Sequence, residues 1–198
     1  MLHSSTVESP TLELLKKIQK LPSMTDTRLV GGTALALQIG HRKSVDLDFF
    51  GHIADTEVVI EELRSIGNLT ILKSSAHIHI FVLNNVKIDI VDYSYKWLSD
   101  FIECDGIRLA DLNDIAAMKL AAITGRGTKK DFIDLYFLSE RYTLPQMLSF
   151  YREKYPDGSD FMVLKSLSYF DDADPDPLPY MFRAVTWEDV KSRVLSLL

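Results

Sequence analysis

The spacing of two aspartates, Asp46 and Asp48, gives the clearest chemical signal in the sequence. They lie in the alternating segment 45–50, and because strand side chains alternate between faces, both carboxylates should lie on one face. Two such charges repel each other unless a cation neutralises them. Oxygen ligands of this kind suit Mg²⁺, which keeps substrate phosphates in its coordination shell. By itself, an Asp-x-Asp pair is more often the solvated face of an edge strand.

A glycine turn upstream of the two aspartates favours a metal site over a solvated edge strand. Gly31, Gly32 and Thr33 follow an apolar pair and precede a predicted helical turn. Unblocked backbone N–H groups at a helix N-terminus can hold a phosphate. The turn and the acidic pair together describe a site for a metal–nucleotide complex. Arg42 and Ser44 lie between them and are predicted to brace phosphate or the acidic pair, unless they form only a polar loop.

A third carboxylate occurs in the β-rich run 87–93. Asp89 is flanked there by isoleucines, whereas Asp92 lies at the strand end and faces the opposite side. If this strand lies beside the Asp46 strand, three acids surround the metal ions. We therefore favour Asp89 over Asp92 as the third metal ligand and as the group that accepts a proton.

A second cluster of charges lies further along the chain. Lys119 interrupts an apolar helix, so its ammonium must reach solvent or meet an anion, for which a triphosphate is a candidate. Arg126 lies in a flexible basic elbow between two glycines. Asp131 and Asp134 share one helix face. They either pair with nearby basic side chains as structural anchors or take part in catalysis, and we favour the anchoring role.

Bulk composition limits the class of protein. The 198 residues are 46% hydrophobic and 25% charged, as in ordinary soluble domains, and the one cysteine, Cys104, suits a reducing cytoplasm. We find no secretory signal and no apolar run near the roughly 20 residues of a membrane helix. The net charge of −6 argues against extensive binding to a nucleic-acid backbone, although a small nucleotide or one RNA end remains compatible.

The periodicity predicts an α+β core at residues 1–105 and a helical region at 106–198 that packs against it and completes the nucleotide site. Asn84 and Asn85 are predicted to form a hairpin turn, and Thr186 to begin a capping box with Asp189. The predicted helices are 9–20, 33–39, 56–66, 111–124, 129–141, 145–155 and 186–198, and the predicted strands are 45–50, 69–73, 77–83 and 87–93.

The segments 29–50, 116–126 and 129–136 together resemble the signatures of the AbiEii/AbiGii-type nucleotidyltransferases. This resemblance implies a DNA polymerase β-like nucleotidyltransferase fold with a mixed β-sheet, followed by a helical half. Members of the family include toxins of bacterial toxin–antitoxin and abortive-infection systems. Some are similar to enzymes that add nucleotides to tRNA ends.

The resemblance also implies roles for individual residues. The reaction would move an NMP from an NTP to an acceptor hydroxyl, with two Mg²⁺ (or Mn²⁺) ions and with tRNA or another RNA end as a candidate acceptor. An antitoxin protein is an expected partner. Modification of a small molecule or a protein hydroxyl, and a non-catalytic nucleotide- or partner-binding module, stay open as alternatives. The resemblance assigns Gly31, Gly32 and Thr33 to the phosphate-binding turn, Asp46 and Asp48 to the metal-binding pair, Lys119 to a nucleotide-phosphate contact and Asp131 to the later acid. The residues themselves add Asp89 as the third metal ligand and Arg42, Ser44 and Arg126 as nucleotide contacts.

Overall fold

The computed structural model describes all 198 residues and divides them into two compact units. The first unit comprises residues 1–94 and 101–110, and the second comprises 95–100 and 111–198. The boundary predicted after residue 105 falls in the turn between the last two strands of the first unit.

The first unit is built on a seven-stranded sheet in the order β3-β4-β5-β2-β1-β7-β6. The sheet is mixed, because β2 runs antiparallel to β1 but parallel to β5, and β1 runs parallel to β7. Its strands are β1 Thr27–Val30, β2 Leu47–Gly51, β3 Leu69–Ser74, β4 Ile78–Leu83, β5 Val86–Asp92, β6 Ile102–Cys104 and β7 Ile107–Leu109. Its helices are α1 Ser9–Ile18, α2 Gly31–Ile39 and α3 Thr56–Ile66.

Alternation along β2 and β5 separates the core from the charged face. Leu47 and Phe49 of β2 and Ile88 and Ile90 of β5 are fully buried. The residues between them, including the aspartates, are only partly buried, as the period of two requires. Burial of the apolar rows therefore fixes which face of the sheet carries the carboxylates.

Local sequence signals predicted the hairpin turn and the ends of most helices. Asn84 and Asn85 form the predicted hairpin turn, with φ angles of 50° and 66°. Helix α1 starts at the predicted Ser9, although Glu8 is its N-cap, and Asp55 caps α3 with two backbone hydrogen bonds. Strands β1, β6 and β7 were not predicted, because each is only three or four residues long.

The alternation of His77 and His79 in the predicted strand 77–83 favours the sheet surface for both, but His79 lies in the core. The His79 side chain is only 2% exposed, and its ring nitrogens lie 3.0 Å from Ser74 Oγ and 3.2 Å from Thr56 Oγ1. Burial lowers its pKa, which outweighs the opposing charge of Asp92. His79 is thus a hydrogen-bonded core residue, whereas His77 is exposed as predicted.

The second unit is helical, with α4 in contact with α5, α6 and α7. The predicted capping box of Thr186 and Asp189 begins the last helix. Helix α7 was not predicted, since its short segment carries several exposed apolar residues and no clear stripe. No helix in either unit has the length and apolar character to span a bilayer. The helices are α4 Leu112–Gly125, α5 Lys129–Leu138, α6 Leu144–Lys154, α7 Asp160–Leu167 and α8 Trp187–Leu195.

Candidate active site

Parallel pairing of β2 with β5 puts two of the predicted acids, Asp48 and Asp89, side by side on one face of the sheet. Asp48 is the register partner of Asp89, and Asp46 lies two residues before Asp48. Asp92 pairs instead with Gly51, and its carboxylate accepts a hydrogen bond from the backbone N–H of Ile53. The geometry therefore groups Asp89, not Asp92, with the Asp-x-Asp pair.

A lysine that the sequence reasoning missed lies among these acids. Lys87 Nζ donates a hydrogen bond to Asp89 Oδ2 at 2.8 Å and lies 2.8 Å from Oδ1 of the same carboxylate. Burial lowers the Lys87 pKa, but Asp89 and the charges of Asp48 and Asp46 outweigh this effect, so the pKa is raised overall. The negative charges of all three predicted acids therefore stabilise the protonated form of Lys87. The alternation Lys-Ile-Asp was the available signal, because it places Lys87 on the face of Asp89.

Charged side chains approach both glycines closely. Gly31 has φ +68°, and a Cβ at this position would lie 2.3 Å from Asp48 Oδ2. A Cβ on Gly32 would lie 2.2 Å from an Nη atom of Arg42, whose side chain is buried. The carboxylate and the guanidinium therefore lie directly against the backbone at the start of α2.

Thr33 connects this turn to the acidic strand. Its hydroxyl donates a hydrogen bond to the backbone carbonyl of Asp46 and lies 2.8 Å from Ser44 Oγ. Both hydroxyls are buried, so they stabilise the segment that leads into β2. These contacts fix the backbone of the acidic pair relative to the glycine turn.

The residues on this face fit a divalent cation in their chemistry. All three acids offer hard oxygen ligands, and the Lys87 ammonium already lies near them as a positive charge. Asp89 Oδ1 is buried and already lies 2.8 Å from the Lys87 ammonium, so a divalent ion would have to take the place of that cation. The acids are not drawn together as a ready-made group of three ligands, and holding an ion would require them to close on it.

The second unit contains the other predicted cluster. Lys119 Nζ lies 2.9 Å from Asp131 Oδ1 and 2.6 Å from Asp134 Oδ2, and all three side chains are buried. Asp131 also accepts hydrogen bonds from Arg126 and Thr128. The cluster joins α4 to α5, which is the anchoring arrangement that the residues favoured. Catalysis by Asp131 and phosphate contacts from Lys119 and Arg126 stay predictions.

This cluster makes the stability of the second unit depend on acid pH. Burial raises the Asp131 pKa, but Lys119, Arg126 and Thr128 together lower it from 3.8 to about 2. The ionised group therefore stabilises the fold above pH 3.8 by about 2 kcal/mol, and this contribution disappears as the pH falls through 2. About half should be lost by pH 3. Urea unfolding of Asp131→Asn should accordingly show a weaker loss of stability between pH 6 and 3 than the parent.

A matched control for this measurement is Asp157→Asn, which removes an exposed carboxylate from the same unit. Its pH dependence should follow that of the parent. Equal slopes for the parent and Asp131→Asn would contradict the assignment of acid sensitivity to the buried cluster.

The mixed sheet has the polymerase β-like nucleotidyltransferase fold, the α+β class predicted from the sequence. The chain belongs to the family described as "Nucleotidyl transferase AbiEii toxin, Type IV TA system", whose model matches residues 13–97 and 84–197. It is therefore a member of a nucleotidyltransferase family, which confirms the resemblance found in the sequence.

One protein is similar in sequence over most of the chain, and solved structures share the fold. The chain is 35% identical over 168 residues to an uncharacterized protein of Aquifex aeolicus (strain VF5), covering 81% of this chain and 82% of that protein. The fold is similar to JHP933 from Helicobacter pylori, with 20% identity, TM-score 0.57 and coverage of 96% and 91% of the two chains. It is also similar to MenT4, a nucleotidyltransferase toxin of Mycobacterium tuberculosis H37Rv, with 17% identity, TM-score 0.61 and coverage of 93% and 80%.

Proposed function

We propose that this chain transfers an NMP from an NTP to an acceptor hydroxyl with the help of divalent ions held by Asp46, Asp48 and Asp89. The acceptor oxygen forms a bond to the α-phosphorus, the bond between that phosphorus and the bridging oxygen breaks, and pyrophosphate leaves. The hydroxyl proton passes to Asp89. Family membership supports the reaction class, and the common action of three acids on one cation supports the metal assignment.

The residues around the acids supply the other requirements of this reaction. The backbone N–H groups at the start of α2, where Gly31 and Gly32 carry no side chain, are proposed to contact a phosphate. Arg42 lies against the same backbone and adds positive charge beside it. Divalent ions, when bound, would neutralise the triphosphate and increase the acidity of the acceptor hydroxyl. Mg²⁺ is the proposed ion, with Mn²⁺ as a substitute.

The family resemblance also suggests roles for residues of the second unit. Lys119 and Arg126 are proposed as phosphate contacts and Asp131 as the later acid. Their mutual ion pairs also give them a structural role. Variants of these residues should therefore be compared in nucleotide binding as well as in stability, because an anchoring role alone would change only the latter.

The biological setting follows from the family in the same way. We propose that the chain acts as the toxin of a toxin–antitoxin or abortive-infection system, with a separate antitoxin protein as its partner. An RNA end, such as that of tRNA, is the proposed acceptor. The net charge of −6 favours a small-molecule or protein hydroxyl as the second candidate, because it disfavours extended contact with a phosphate backbone.

Incubation with each α-³²P-labelled NTP and Mg²⁺ tests the proposal, using total RNA, protein and metabolite fractions as separate acceptors. We expect one fraction to become labelled and pyrophosphate to be released in equal amount. Label in RNA supports the first acceptor class, and label in protein or metabolites supports the second. Tight NTP binding without label in any fraction would indicate a non-catalytic binding module.

A further inference from the structure

Lys87 and the three acids form a four-residue group on one face of the sheet. Lys87 and Asp89 are two residues apart on β5, and Asp48 pairs with Asp89 across to β2. Asp46 precedes the first paired residue of β2, and its negative charge also raises the Lys87 pKa. The ammonium is thus interleaved with the carboxylates, whereas a lysine on a free face would extend into solvent.

The position of this ammonium conflicts with that of a divalent ion. The Lys87 side chain is 43% exposed, so solvent is open to it, yet its Nζ turns back to within 2.8 Å of both oxygens of Asp89. Those oxygens would be needed by a metal ion, and two cations a few ångströms apart repel each other strongly.

We propose that Lys87 is a resident counter-ion that holds the acids in the metal-free protein and gives up Asp89 when a divalent ion binds. This inference rests on the metal-dependent function proposed above. The four-carbon side chain is flexible and its ammonium has rotatable donors, so it can leave Asp89 without a change in the backbone. Once displaced, the ammonium contacts the triphosphate that arrives with the metal. Lys87 is therefore a positioning residue that couples metal binding to nucleotide binding.

Mn²⁺ binding measured by electron paramagnetic resonance, without nucleotide, tests the displacement directly. Removing the ammonium in Lys87→Met should tighten Mn²⁺ binding by about tenfold, since the ion no longer competes with a resident charge. Lys87→Arg retains the charge and should bind Mn²⁺ as the parent does. Lys73→Met, which removes an exposed lysine from edge strand β3, is the matched control and should also be unchanged.

Nucleotide binding should change in the opposite direction. At saturating Mg²⁺, which displaces the ammonium from Asp89, Lys87→Met should bind a fluorescent NTP several-fold more weakly than the parent, because the triphosphate loses a cation. Circular dichroism establishes that each variant is folded, and Lys87→Gln provides a second neutral variant if Lys87→Met is not.

Several outcomes separate this inference from the proposed function. Mn²⁺ binding that is equal or weaker in both neutral variants, with a parent that does bind, overturns the counter-ion role and leaves the metal-dependent reaction standing. Failure of the parent and of both neutral variants to bind Mn²⁺, with or without NTP, overturns both. Binding that appears only after the lysine is removed supports the inference strongly.

Discussion

Asp48→Asn should lower NMP transfer by at least about a thousandfold while leaving the first unit folded. The substitution preserves the shape of a side chain that lies against Gly31, so packing at the start of α2 is retained. It removes one of three carboxylates on the acid face and with it a ligand for a divalent ion. Loss of that stabilisation is worth several kcal/mol of the barrier, and about 4 kcal/mol corresponds to a thousandfold. Single-turnover transfer from labelled NTP measures the loss, and a thermal melt measures the fold.

The opposite faces of β5 provide the control for this prediction. Asp89→Asn should reduce transfer as Asp48→Asn does, because the two carboxylates are register partners. Asp92→Asn lies on the same strand but faces away, and an asparagine still accepts the hydrogen bond from Ile53. Its transfer rate should remain within about threefold of the parent, less than 1 kcal/mol of the barrier. Full activity in a folded Asp48→Asn protein, or loss of activity only in Asp92→Asn, would refute the acid-face assignment.

The parts of this site that lie within one segment of the chain could be predicted from local sequence signals. The period of two predicts Asp46 and Asp48 on one face, and burial of Leu47 and Phe49 shows why the face that carries Asp48 is fixed. The glycine turn was predicted for the same reason, since its residues are contiguous. The specific need for Gly31 was not predictable, because the group that excludes a side chain there is Asp48.

Features that depend on distant pairing could not be derived from the pattern. The pairing of Asp48 with Asp89 spans α3, β3 and β4, and no local periodicity encodes which strands become neighbours. Lys87 escaped notice for this reason. An isolated lysine beside an aspartate on a strand is typical of a solvated surface, and only the β2–β5 register brings it near two more acids. The buried state of His79 likewise depends on hydroxyls from β3 and α3.

Another long-range feature is an ion pair in the interior of the second unit. Lys154 and Asp114 are both fully buried, with Nζ and Oδ1 2.7 Å apart. Lys154 also donates to the carbonyl of Lys96 and lies 4.4 Å from the centroid of the Trp97 ring. Asp114 accepts hydrogen bonds from backbone N–H groups at Leu98 and Ser99. One pair thus fastens the segment 95–100 to α4 and α6.

Lys154→Met should destabilise the second unit by about 3–5 kcal/mol, because it leaves the Asp114 carboxylate buried without its cation. Urea unfolding followed by circular dichroism measures the effect, which avoids relying on fluorescence of the adjacent Trp97. The exposed pair of Lys96 and Glu153 is the matched control, since its nitrogen–oxygen distance of 2.9 Å is similar but both side chains are more than half exposed. Lys96→Met should cost less than about 1 kcal/mol.

A second substitution separates the charge effect from lost packing. Lys154→Met combined with Asp114→Asn removes the stranded charge but keeps an oxygen that accepts from the backbone of Leu98. If the penalty is electrostatic, the double variant should be more stable than Lys154→Met alone, because no unpaired ion remains in the interior. Equal stability of these two variants would attribute the loss to packing against Trp97. A Lys154→Met protein as stable as Lys96→Met would show that the buried pair does not hold residues 95–100 against the helices.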